Sequence, residues 1–160
     1  MDFAFRTMEM PPTLQTKGGE VRIVDSKKFK ASTTVAMAMV TVHPGGMREL
    51  HWHPNGDEWQ YYLAGKARMT VVATGNLGRT MDFQEGDVGY VQNTLLHYIE
   101  NTSDTDLIFL EMFKSSYDQD LSLSEWLAHT PPELVMAHLH IDKSTYDAIP
   151  KDGGVIMPLA

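Results

Sequence analysis

Three histidines and one glutamate carry the chemistry that this sequence offers. The segment His51-Trp52-His53-Pro54-Asn55-Gly56-Asp57-Glu58 holds two imidazoles two residues apart and a carboxylate just beyond a turn. On an extended chain, residues two apart share a face. His51 and His53 therefore project one way and Trp52 the other. Pro54-Asn55-Gly56-Asp57 has turn composition, so the next strand returns alongside and brings Glu58 to the same space. His97 lies alone on a later strand-like run. A lone His-x-His pair is a weak signal; the returning carboxylate and the distant histidine strengthen it. Three imidazoles and one carboxylate without sulfur suit octahedral Mn(II) or Fe(II), with two positions left for water, substrate or O2. Zn(II) usually prefers four-coordinate sites. Raw affinity favours Cu, Ni or Zn over Mn, so the ligand types alone do not choose the metal. His43, His129, His138 and His140 lack such a setting and read as surface or packing histidines.

The elements that must hold these ligands are short and β-like. Residues 1–30 read as an N-terminal arm with one strand, Glu20–Val24. Residues 31–115 are strand-like throughout, with turn residues at short intervals, which favours a sandwich or barrel. Thr33–Val42 is stopped by Pro44-Gly45-Gly46, and Leu50–His53 resumes. Glu58–Leu63 and Ala67–Ala73 flank Gly65-Lys66 and read as a hairpin. Gly75-Asn76 and Gly78 mark a turn, and Gln84-Glu85-Gly86-Asp87 leads into Val88–Val91. His97–Glu100 and Leu107–Phe113 read as a further hairpin closed by Asn101–Asp106. Residues 116–160 read as a lid-like loop, short helices and a tail. Ser122 and Glu125 have capping-box spacing. Pro131-Pro132 stops that helix and opens a second, Glu133–His140. Asp152-Gly153-Gly154 begins a loose end.

The composition narrows the function. The 160 residues suit one domain with a real core. The absence of Cys excludes disulfides, thiolate metal sites and Cys nucleophiles. A net charge of −8 argues against nucleic acid or an anionic membrane surface as partner. It does not argue against a small anionic substrate. No leader is legible at the N-terminus, and no apolar run approaches the ~18 residues of a membrane span. The chain reads as cytoplasmic, or as one whose leader has been removed.

The spacing resembles the cupin superfamily. Gly45, His51, His53, Glu58 and Gly65 fit its first motif, G-x5-H-x-H-x(3,4)-E-x6-G. Gly86, His97 and Asn101 fit its second, where Gln92 and Thr94 replace the usual Pro and Gly of a turn. The stretches PGGMRELHWHPNGDEWQYYLAGKARMTV, FQEGDVGYV, LLHYIEN and LIFLEMFK resemble one module of the bicupin oxalate decarboxylases, in particular the C-terminal one. That family carries two modules, and this chain has length for one.

The resemblance implies an all-β cupin fold, a jelly-roll barrel or double-stranded β-helix with short C-terminal helices. It implies that His51, His53, Glu58 and His97 bind Mn(II), and that O2 takes part in converting oxalate to formate and CO2. Arg48 matches the arginine that holds the substrate carboxylate, Glu111 a buried carboxylate near the metal, and Tyr117 a pocket tyrosine. Trp52 matches a tryptophan at a subunit contact that is implicated in electron transfer. The family's lid word, Ser-Glu-Asn-Ser-Thr, is absent, leaving Asp118 or Asp120 as replacements for its acid, or else as solvated loop residues. Without a lid acid, the site could act as an oxalate oxidase, or as a metal-binding module with little catalysis. A homodimer or larger homo-oligomer is expected, with Trp52, Trp59 and the C-terminal helices as contacts.

Two of these residues pose physical questions. Arg48 lies three residues before His51, so strict alternation aims it away from the ligands. Its pocket role requires a bulge or loop after Pro44-Gly45-Gly46. Glu111 sits within the apolar run Leu107–Phe113, where a carboxylate needs a partner or stays neutral.

Overall fold

The computed structural model describes residues 2–151 and 155–159. After a 3-10 turn at Thr7–Glu9 come β1 (Leu14–Thr16), β2 (Gly19–Val24), β3 (Ala36–Val42), β4 (Gly46–Trp52), β5 (Glu58–Ala64) and β6 (Lys66–Ala73). Then follow β7 (Leu77–Gln84), β8 (Val88–Val91), β9 (Leu96–Asn101), β10 (Leu107–Phe113) and β11 (Leu121–Ser122). The chain continues through α1 (Leu123–Ala128), α2 (Pro132–Leu139), α3 (Lys143–Asp147) and β12 (Ile156–Pro158).

The strands form two antiparallel sheets, β1-β2-β3-β10-β5-β8 and β11-β4-β9-β6-β7, with β12 also on β4. The sheets face each other without closing into a continuous barrel. Burial alternates along β3 and β10, as a strand with one face toward a core requires. Val40, Val42, Leu107, Phe109 and Phe113 from the first sheet pack with Ala67, Met69 and Ile99 from the second.

Several local expectations are corrected by this topology. Gly65-Lys66 does not close a hairpin, because β5 lies in the first sheet and β6 in the second. Gly65 is instead a corner with φ of 81°. A side chain there would lie 2.8 Å from the Asp106 carbonyl oxygen. Asn101–Asp106 likewise carries the chain from one sheet to the other. Turn composition reports a change of direction, not which strand becomes the neighbour. β3 starts at Ala36 and β4 already at Gly46, and β1, β7 and α3 add to the elements read from the sequence. The loose end expected at Asp152-Gly153-Gly154 lies outside the described residues, but the tail beyond it is β12, paired with β4 opposite Gly46, Met47 and Arg48.

Helix α1 is capped as expected: the Ser122 Oγ accepts a hydrogen bond from the Glu125 N–H at 3.0 Å. Proline opens α2, with Pro132 as its first residue.

Candidate metal centre

β4 supplies the first ligand and meets β9, so that His51 faces His97 across the pair. His53 follows β4 directly, and Glu58 opens β5 in the opposite sheet. The four residues are at most 2% exposed, and one ligand atom from each lies within 4.8 Å of the others.

Main-chain carbonyls orient the three rings. The Nδ1 of His51 bonds to the Glu49 carbonyl at 2.6 Å. That of His53 bonds to Gln119 at 3.0 Å, and that of His97 to Leu95 at 3.1 Å. A ring that donates from Nδ1 turns its Nε2 lone pair inward, the tautomer a metal needs. Glu58 is aimed in the same way. Its Oε1 accepts from Gln60 Nε2 at 2.7 Å, and the Gln60 Oε1 accepts from the Tyr62 hydroxyl at 2.7 Å. This leaves Oε2 at 2.8 Å from His97 Nε2 and 3.2 Å from His53 Nε2.

The donor set passes a direct test of fit. The Nε2 atoms of His51, His53 and His97 and the Oε2 of Glu58 are all buried without a hydrogen-bond partner. Buried polar atoms are normally paired, so four converging orphans with nitrogen and oxygen lone pairs fit a cation. Burial, with the Arg48 charge adding, holds the His51 pKa well below the usual histidine range. Burial opposes charge on His53 too, but Asp118 and Glu58 push its pKa up to about 10. In Glu58, burial is outweighed by His97 and His53, and its pKa is lowered.

Arg48 stands beside this cluster because β4 is irregular. Alternation breaks at Arg48-Glu49, where both side chains are buried, and the register with β9 shifts between Arg48 and His51. The guanidinium donates from Nη1 to the Val155 carbonyl at 3.2 Å and from Nη2 to Asp120. Its Nε faces Glu111 Oε1 at 3.7 Å with no hydrogen bond. Burial and then the Glu58 charge push the Glu111 pKa up to about 8, against the pull of Arg48.

Residues 114–120 form a strap packed against the site through Asn55, His53 and Arg48. The Asn55 Nδ2 donates to the Tyr117 carbonyl at 2.9 Å, and Asp118 Oδ1 lies 3.1 Å from His53 Nδ1. Asp118 is buried against His53, and the partly exposed Asp120 pairs with Arg48. Tyr117 stands apart from this group, exposed at 42%. Trp52 turns to the outer face of its sheet and meets Trp126 edge-on at 6.1 Å. Sequence reasoning missed Gln60 and Glu49. Gln60 shares a strand face with Glu58, a signal that alternation offered. Glu49 was hidden by the bulge, and its Oε2 accepts from Ser124 on α1 at 2.7 Å.

The family model described as Cupin matches residues 5–147. The chain is a cupin. Among its relatives is the oxalate decarboxylase OxdC of Bacillus subtilis, 51% identical over 150 residues, covering 94% of this chain and 39% of that protein. A probable oxalate decarboxylase of Arthroderma benhamiae is 48% identical over 136 residues, covering 84% and 34%. The structure of the B. subtilis oxalate decarboxylase at pH 4.6 matches with a TM-score of 0.94 at 49% identity, over 98% of this chain and 41% of that one. This cupin thus spans about two fifths of the length of the B. subtilis protein. None of its described helices is long and apolar enough to cross a membrane.

Proposed function

We propose that this cupin module decarboxylates oxalate to formate and CO2, with Mn(II) at His51, His53, Glu58 and His97 and with O2 as cofactor. The observation that carries this reading is a buried arginine and a proton-holding glutamate set against an oriented three-histidine, one-glutamate cluster. The likeness to oxalate decarboxylases along nearly the whole chain supports it. Bound there, Mn(II) supplies a Lewis-acid anchor for a carboxylate and a one-electron couple.

The side chains do the rest. Arg48 offers the charge-assisted fork that binds and orients a carboxylate. Net decarboxylation of the oxalate dianion consumes one proton, as oxalate plus H+ gives formate plus CO2. Glu111 retains a proton near neutral pH because burial and Glu58 disfavour its charge, so a proton can wait beside the substrate seat. Asp118, held on His53, and the strap 114–120 exclude water.

A homodimer or larger homo-oligomer in the cytoplasm belongs to the same reading. The apolar outer face at the exposed Leu50, Leu96 and Trp126 and the half-buried Trp52 supports the assembly. A second reading, a metal-binding module with little catalysis, is favoured by the engagement of both strap acids with His53 and Arg48. An oxalate oxidase is the third.

Carbon-13 NMR of labelled oxalate with Mn-loaded protein in air, at mildly acidic pH, separates them. The expected result is formate that is lost in Arg48→Ala. CO2 with peroxide and no formate makes the module an oxidase. Unchanged oxalate with Mn bound makes it a non-catalytic metal site, and formate undiminished in Arg48→Ala overturns the role of the arginine.

A further inference from the structure

We propose that Asp120 is a resident competitor for the carboxylate seat on Arg48, which a substrate must displace, so that Asp120 sets which ligands are admitted. This rests on the reading of Arg48 as the substrate seat. The Nε and Nη2 edge of a guanidinium is the fork that takes a carboxylate in two parallel hydrogen bonds. Here Asp120 occupies the Nη2 arm, while the buried Nε arm makes no hydrogen bond and has only the Glu111 Oε1 near it, at 3.7 Å. The fork is thus half filled by the protein's own carboxylate. Nη1, on the other side, is taken by the Val155 carbonyl.

Two carboxylates face the guanidinium, and only one can leave. Glu111 is 1% exposed and fixed on β10, so it has no path from Arg48 into water. Asp120 is 29% exposed and sits on the irregular strap, so it can pass from Arg48 into water. The strap is otherwise tied through main-chain carbonyls, Tyr117 to Asn55 and Gln119 to His53. Exchange replaces one arm held by Asp120 with two arms held by an incoming carboxylate. A ligand without a carboxylate has no equivalent gain and leaves the strap shut.

The test is calorimetric titration of Mn-loaded protein with oxalate under argon. Asp120→Asn, close in shape but uncharged, should bind oxalate roughly ten-fold or more tightly than the native chain, the weight of one charge-assisted hydrogen bond. Asp104→Asn, in the exposed loop at the far end of β10, makes the same net-charge change and should shift affinity by less than about two-fold. Oxamide, the neutral isostere, should gain nothing from Asp120→Asn. The native chain gives an independent readout in which no variant need fold: hydrogen exchange of amides 115–120 should quicken on adding oxalate. Equal or weaker oxalate binding by Asp120→Asn, or slower exchange in the native strap, overturns the competitor while leaving Arg48 as the seat. Absence of oxalate binding in both proteins, with Mn bound, overturns the seat and the competitor together.

Discussion

At the scale of residues, the site is a problem in proton placement. Without a metal, His53 is held in its charged form by Asp118 and Glu58 against the effect of burial, with its pKa pushed up to about 10. A ligating imidazole must be neutral, so metal and proton compete for the same ring. A raised folded pKa means that the proton stabilises the metal-free fold fully below the ordinary histidine pKa, and that this stabilisation is lost as pH rises through about 10. Metal binding is therefore hindered at low pH. Calorimetry in buffers of different ionisation enthalpy should show close to one proton released per Mn(II) at pH 7, with the apparent Kd weakening about ten-fold per unit between pH 8 and pH 6. Binding without proton release would show that His53 is already neutral. The four ligands were legible in the sequence because their spacing matches what two strands and a turn do to side-chain direction. The partner of Arg48 was not, because Asp120 reaches it through a fold-dependent path of 72 residues.

At the scale of elements, the local signals identified strands well and their partners poorly. Both misread hairpins, at Gly65-Lys66 and Asn101–Asp106, are places where the chain changes sheets. Composition is the same for a tight turn and for a corner; only the pairing of distant strands separates them. The bulge in β4 shows the reverse case. The odd offset between Arg48 and His51 required an irregularity, and the register shift lies between those two residues. Gly65 provides a test at this scale. Its positive φ disfavours any side chain, and a Cβ would press on the Asp106 carbonyl and the Leu107 Cα at 2.8 and 2.9 Å. Gly65→Ala should lower stability by about 2 kcal/mol or more and the melting temperature by several degrees. An unchanged melting curve would mean that the corner relaxes freely.

At the scale of the whole molecule, the ligand cluster joins the two sheets, with Glu58 contributed by one and His51 and His97 by the other. The outer face of the second sheet carries Leu50, Val72 and Leu96, with Trp126 of α1 beside them, each exposed by 41% or more. Contiguous apolar surface of this kind marks a contact region. Light scattering should give at least twice the 18.0 kDa of the chain, and Trp126→Asp should shift the particle toward a monomer that still binds Mn(II). A monomeric native protein at working concentration would remove the oligomer from the functional reading. The acidic balance, −8 over the chain, gives no hint of this face, since net charge governs solubility and long-range steering rather than local contact.

The pairing of β12 with β4 bears on how the site is made during synthesis. The metal ligands are complete once residue 97 has emerged, but the carbonyl that holds Arg48 belongs to Val155, 107 residues after the arginine itself. Thr16 is also tied to this late segment, through the Ile156 carbonyl. A nascent chain therefore carries all four ligands before it carries the carbonyls of Gln119 and Val155 that orient His53 and hold Arg48. Pairings this distant in sequence form slowly. The ligand set and the last contact of the arginine are thus completed at different lengths of the emerging chain.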